Sequence, residues 1–140
     1  MITIHQPDDL ISISLYNIFN YRKNDETFIE LVTDWNKKIV IHVEPFYPVT
    51  VIFEGNEINF QIGEVENADM KMKLKMDVML DLAYGREDPF SAIGEGKLEM
   101  EGLGEDSSMI VRFYNIFMES MIAVASDPQL HYYEINENSR

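Results

Sequence analysis

The segment MKMKLKMDVMLDLAYGREDPFSAIGEGKLEMEG, residues 70–102, holds two periodicities in one short run. Over Met70–Met76 apolar residues and lysines alternate, so Met70, Met72 and Leu74 share one face of a strand and Lys71, Lys73 and Lys75 the other. Asp77 can then cap a helix carrying Val78, Met79 and Leu82. Gly85 suits the left-handed conformation that stops a helix. Asp88-Pro89 restarts one, with Asp as cap and Pro in the first turn. Leu98 and Met100 alternate with Glu99 and Glu101 in a second strand that Gly102 ends. The segment therefore predicts a strand–helix–helix–strand return, which reads as scaffold rather than as a catalytic motif.

Upstream the same period-two pattern continues. Val49, Val51 and Phe53 lead to the turn dipeptide Gly55-Asn56, and Ile58, Phe60 and Ile62 return, which predicts a hairpin. Ile39, Ile41 and Val43 predict a further strand. The N-terminal quarter reads as helix. Pro7-Asp8-Asp9 is a start signal, Ile11, Leu15, Ile18 and Phe19 share one face, and Arg22–Asp25 breaks the pattern. A second helix is expected to carry Phe28, Leu31, Val32 and Trp35. Downstream, a long helix is predicted from about Asp106. Its apolar residues Ile110, Phe113, Tyr114, Phe117, Met121 and Val124 form one stripe, which Met109, Ile116 and Ile122 widen nearly all round. Such a helix is covered on both faces or lines a cavity. Pro128 ends it, and His131–Ile135 forms a short tail.

The chain has 140 residues, which predicts one domain, 1–140, able to bury a single core. Twenty-five acidic against 11 basic side chains give a formal net charge of -14. That charge argues against nucleic acid, whose affinity rests on Lys and Arg, and against electrostatic docking on anionic lipid. The absence of cysteine excludes disulfides, cysteine catalysis and thiolate metal sites. No uncharged apolar run reaches the ~18–20 residues of a membrane span, and the N-terminus lacks signal-peptide features. A cytoplasmic protein without stable membrane anchoring is expected. Of nine methionines, all but Met1 lie between Met70 and Met121. Methionine fills irregular cores and also builds adaptable binding walls.

No motif for nucleotide, phosphate or zinc chemistry occurs. His5, His42 and His131 lie on separate segments. The pairs Asp8-Asp9, Glu87-Asp88 and Glu105-Asp106 adjoin helix ends or turns and read as caps. The three lysines of the Met/Lys strand read as its solvent face. No cofactor or metal is expected.

The pattern of Gly85, Asp88-Pro89, Ala92-Ile93 and Gly96-Lys97-Leu98-Glu99-Met100-Glu101-Gly102 resembles the hallmark of the type-two sterol carrier protein family. Ala68-Asp69, the Met/Lys strand and the helix after it match the family order. The resemblance covers residues 49–125, and 126–140 form an extra tail. It implies an α+β fold: a curved antiparallel sheet of about five strands, covered by N-terminal, middle and C-terminal helices, with an apolar tunnel between sheet and helices. It further implies non-catalytic carriage of a sterol, fatty acid, acyl-CoA or isoprenoid-like molecule. By position the tunnel lining is expected from Leu82, Phe90, Ile93, Met100, Phe113, Phe117 and Met121, with Trp35 and Phe53 as additions. Each of these is alternatively plain core. A second reading is an interaction module that forms a homodimer or binds a partner through the apolar last helix and Tyr132-Tyr133. A third is an enzyme in which His42 or His131 meets an acid in a cleft.

Overall fold

The computed structural model describes residues 2–102 and 108–127. In chain order the elements are β1 (Thr3–Ile4), α1 (Leu10–Tyr21), α2 (Glu26–Val32), β2 (Lys37–Glu44), β3 (Val49–Glu54), β4 (Glu57–Ile62), β5 (Met70–Lys75), α3 (Met76–Ala83), α4 (Pro89–Gly94), β6 (Leu98–Gly102) and α5 (Ser108–Ser126). The strands form one sheet in the order β1-β4-β3-β2-β5-β6. This is the expected α+β architecture with two differences. The strands number six, and the sheet is mixed: β1 runs parallel to β4 and β5 parallel to β2.

The parallel pairing follows from the connection Gly63–Asp69. Strands β2, β3 and β4 form an antiparallel meander, so β4 ends where β2 ends. Strand β5 starts beside the start of β2, with Met70 opposite Ile39. The chain between them must therefore return along the sheet and cross β3 and β2. Seven residues reach about 23–25 Å when extended, enough for that crossing. Its bonds mark the route. Thr50 Oγ1 donates to Gly63 O at 2.7 Å and accepts from Val65 N–H at 3.3 Å. Lys71 pairs with Glu64, and Asp69 Oδ2 accepts from Lys38 N–H at 2.8 Å.

One consequence is burial on the sheet face away from the helices. Val40 and Thr50 pair there and are fully buried outside the main core cluster. The opposite face supplies the core. Ile39, Ile41, Val43, Val49, Val51, Phe53, Met70, Met72, Leu74 and Leu98 point toward the helices, as the period-two pattern predicts.

The helix starts are written in local sequence. Asp9 caps α1 through Ser12 N–H, Asp25 caps α2 through Thr27 N–H, and Asp88 caps α4 through Ser91 N–H. For α3 the expectation changes. Lys75 is the cap residue and gives no side-chain bond, because β5 runs straight into the helix. Asp77 sits inside the first turn, where Oδ1 accepts from its neighbour Val78 N–H at 2.8 Å. Trp35 lies beyond the end of α2 and is buried. The expected start of α5 at Asp106, the pair Glu105-Asp106, His131 and the tail from Pro128 lie outside the described residues.

Polar anchors tie α1 and α2 to α5. Arg22 is buried at the end of α1, its Nη1 donating to Asn115 O at 3.1 Å and Ser120 Oγ at 3.2 Å. Its Nε reaches Asp25 Oδ2 at 3.2 Å, and the guanidinium lies 5.3 Å from the centre of the Phe28 ring. Arg112 of α5 donates to Leu31 O and Thr33 O, closing the C-terminus of α2, and stacks 5.1 Å from the Trp35 ring centre. By length and composition α5 meets the test for a membrane-crossing helix. Eight of its 19 residues are nevertheless buried in the protein, including Phe113, Ile116, Phe117 and Met121.

Candidate functional site

The space between sheet and helices is packed by aromatic rings. Phe19 of α1 lies 6.2 Å from Phe28, 6.3 Å from Phe53, 6.3 Å from Phe60 and 6.0 Å from Phe117. Phe113 and Phe117 stack at 5.7 Å, and Phe53 bridges Phe113 at 6.2 Å and Trp35 at 5.0 Å. Phe19, Phe28, Phe53, Phe113 and Phe117 are all fully buried.

The apolar opening lies one layer out, among three helices. Ile18 of α1, Met79, Leu80 and Ala83 of α3, Tyr84, and Met121, Val124 and Ala125 of α5 line a groove of about 140 Å³. None of these eight residues is charged, and the Tyr84 hydroxyl is their only side-chain oxygen. Ala83 and Ala125 both line the groove, one on α3 and one on α5, and each contributes only a methyl group to the wall. The groove adjoins, past the same helix ends, a second depression of about 300 Å³ that reaches Leu82, Gly85, Ile122 and Ser126.

The residues expected as lining divide into three places. Met121 lines the groove and Leu82 the depression beside it. Phe113 and Phe117 lie deeper, in the ring cluster. Met121 stands one helical turn after Phe117 on the same face of α5 and so links groove to cluster. Met100 is half-buried on the helix side of β6, opposite Met72. Phe90 and Ile93 lie elsewhere. Both are on α4, where Ala92 alone is buried, and Phe90 is 77% exposed. Its ring stacks on Tyr114 at 6.5 Å. Ile18, Met79, Leu80, Ala83, Tyr84, Val124 and Ala125 were not anticipated as lining. The signal available was the alanine on each helix face, which is legible only once α3 and α5 are known to be neighbours.

Polar groups frame the groove. Tyr21 Oη donates to Asp127 Oδ2 at 2.6 Å where α1 meets the end of α5. That hydrogen bond, with smaller contributions from burial and the charge of Asp127, pushes the Tyr21 phenol above its ordinary value. On the α3 side Arg86 Nε donates to Asp81 Oδ1 at 2.9 Å, and its guanidinium lies 5.2 Å from the Tyr84 ring centre.

The two histidines among the described residues serve the frame. His5 Nε2 meets Glu57 Oε1 at 2.7 Å on the surface, and His42 Nε2 lies 3.0 Å from Phe46 O in the β2–β3 turn. Among the described residues no three His, Cys, Asp or Glu side chains converge as a metal site. Lys71 and Lys73 pair with Glu64 and Glu44.

A mixed sheet with helices packed on one face, and an apolar groove between the helices on that side, defines a small α+β domain. The chain belongs to the SCP-2 sterol transfer family, whose model matches residues 18–117. Solved structures share the fold. Sterol carrier protein domain 2 of Helicoverpa armigera is 14% identical, with 86% of this chain and 95% of that one covered and a TM-score of 0.58. The UbiJ-SCP2 ubiquinone synthesis protein is 21% identical, with 82% and 88% covered and a TM-score of 0.56. The chain also resembles part of the stereoselective inverting sec-alkylsulfatase Pisa1 from Pseudomonas sp., at 15% identity and TM-score 0.51 over 64% of this chain. It spans only 14% of that enzyme's length. No curated protein matches the chain by sequence.

Proposed function

We propose that the protein binds a lipid or another long apolar molecule at the α1–α3–α5 groove and carries it without changing it. The observation that carries this reading is the lining itself: eight uncharged residues form a concave, mostly apolar surface open to solvent among three helices. Burial there is favoured by roughly 25 cal/mol per Å² of apolar surface. As it stands the groove approaches the size of a ~150 Å³ cavity that accepts benzene, below the ~300–1,000 Å³ of ordinary ligand pockets. A long chain therefore enters with movement of the wall. Met79 and Met121 supply it through their unbranched side chains. Helix α3 supplies more, because Leu82 is its single buried residue. A chain growing inward from Met121 then meets Phe117 and Phe113.

Family membership supports lipid or sterol binding as the general activity. The non-catalytic reading is supported by the employment of the polar groups around the groove in hydrogen bonds and ion pairs of the frame. Titration with a fluorescent fatty-chain probe, with native mass spectrometry of protein from its host, tests the reading. Ala83→Phe and Ala125→Phe should reduce uptake at least tenfold while leaving the fold intact by circular dichroism. Uptake unchanged by both substitutions would refute it.

The exposed apolar patch of α4 and α5 favours a second reading, association with a partner or another copy. Phe90 and Val111 are 77% and 63% exposed, and Ile93 is also exposed. Light scattering with size exclusion would show a dimer that Phe90→Ser dissolves if this patch mediates self-association.

A further inference from the structure

Four of the nine large apolar side chains exposed among the described residues sit together at one end of the molecule: Leu10, Phe46, Tyr47 and Ile62. Leu10 and Ile62 are 66% and 57% exposed. Hydrogen bonds hold their three segments side by side. The Tyr47 hydroxyl, in the β2–β3 turn, donates to Asp9 Oδ2 at 2.6 Å and accepts from Ile11 N–H at 3.1 Å, which sets the turn against the start of α1. Gly63 N–H donates to Pro48 O at 2.8 Å and Ile62 lies opposite Val49, which sets the end of β4 against the same turn. Strand β5 ends here too, with Lys75 opposite Glu44. A cleft of about 380 Å³, lined by Glu44, Pro45, Lys75, Met76 and Asp77, opens one residue from Phe46. Two helices lead from this tip to the apolar groove. Leu10 and Ile18 on α1 are separated by about 12 Å of helix rise, and Met76 and Met79 on α3 by about 5 Å.

We infer that this tip is the surface by which the protein touches a bilayer of zwitterionic lipid, transiently, while cargo passes between membrane and groove. The inference rests on the groove being the lipid site. Leu10, Phe46 and Ile62 supply apolar area for the boundary of headgroups and chains, and Tyr47 has the amphipathic ring that suits that depth. The cleft beside them decides the headgroup. Glu44 reaches Lys73 at 3.8 Å, while Lys75 has no acidic partner among the described residues. A phosphate with an ammonium group finds both signs in this cleft. A purely anionic headgroup meets Glu44 and Asp77 there, and a chain at -14 behind them.

The test is co-sedimentation of the protein with sucrose-loaded phosphatidylcholine vesicles. The wild-type protein should bind them, and binding at about 10 mM salt should fall about threefold or more when a third of the lipid is replaced by phosphatidylglycerol. Leu10→Ser combined with Phe46→Ser should lower binding to pure phosphatidylcholine about tenfold, with the fold checked by circular dichroism. Phe90→Ser, in the exposed patch of α4, should leave binding unchanged. The wild-type arms need no variant to fold. Absence of binding, binding that phosphatidylglycerol strengthens, or binding that survives the double substitution and is lost in Phe90→Ser would each overturn the inference. Nile red uptake, measured without vesicles, separates this inference from the carrier reading. Uptake retained without vesicle binding overturns the inference and leaves the groove, whereas no uptake removes the groove reading and the inference with it.

Discussion

Truncating Phe117 to alanine tests whether the space between sheet and helices is closed core or open tunnel. The side chain is fully buried, stacked nearly parallel on Phe113 at 5.7 Å and tilted against Phe19 at 6.0 Å. Its burial contributes about 1.5–3 kcal/mol by transfer. Removing the ring leaves a void of order 100 Å³, which at about 24 cal/mol per Å³ adds some 2 kcal/mol. The sum falls in the range of about 3–5 kcal/mol measured for such truncations. Urea unfolding followed by circular dichroism should show it as a midpoint shift of about 2 M, for a slope near 2 kcal/mol per M. Phe117→Leu, expected to lose about 1–2 kcal/mol, keeps the measurement possible if the alanine variant does not fold. Phe90→Ala serves as contrast: its exposed ring meets Tyr114, and its loss should cost under about 1 kcal/mol. A Phe117→Ala loss below about 2 kcal/mol, with Phe117→Leu neutral, would show that Phe117 already borders empty space, and the closed-core reasoning would fail.

Three further outcomes follow from the frame. Asp88→Ala removes the acceptor for Ser91 N–H at 3.0 Å and Ser91 Oγ at 3.2 Å; thermal unfolding should show a loss of about 1 kcal/mol, and Asp88→Asn should retain most of it. Gly85 has φ +74° with open space where a Cβ would stand, so Gly85→Ala should cost about 1–2 kcal/mol from backbone strain alone, and Gly85→Asn less. Partial burial raises the pKa of Asp9, but hydrogen bonds from Tyr47 Oη and Ser12 outweigh it and hold the carboxyl below its ordinary value. This group's contribution is therefore present above its unfolded pKa of about 3.9 and is lost as pH falls through the folded value. Tyr47→Phe should move the Asp9 titration upward toward the ordinary value, which NMR of the carboxyl would follow.

What was legible in the chain was local. Alternation in Met70–Lys75 put the methionines inward and the lysines outward, and a carboxylate before an apolar run marked the starts of α1 and α4. Each of those signals is complete within a few residues, so no tertiary knowledge is needed to read it. The parallel pairing of β5 with β2 is not local. It depends on Gly63–Asp69 crossing the sheet, and no local signal in that stretch marks a crossing. The burial of Val40 and Thr50 on the outer face follows from the same crossing and was equally hidden. Strand β1 has two residues, too few to alternate.

The site shows why a motif reading reaches a family sooner than a cavity. The signature from Gly85 to Gly102 fixes how the chain leaves α3, caps α4 and enters β6, and glycine conformation and capping specify those events at single positions. It does not fix which side of α4 faces inward. A helix of six residues has one buried side chain at most turns, here Ala92, and that choice exposes Phe90 and Ile93. The groove draws instead on Ile18, on Met79–Tyr84 and on Met121–Ala125. These segments are remote in sequence and meet only because α5 packs against both α1 and α3. Within each helix Ala83 and Ala125 are unremarkable good helix formers. Both line the same groove, where two short side chains leave room that neither helix encodes alone. A groove of this kind is a property of helix packing, and substitutions at those two alanines test its proposed role more directly than any change in the signature.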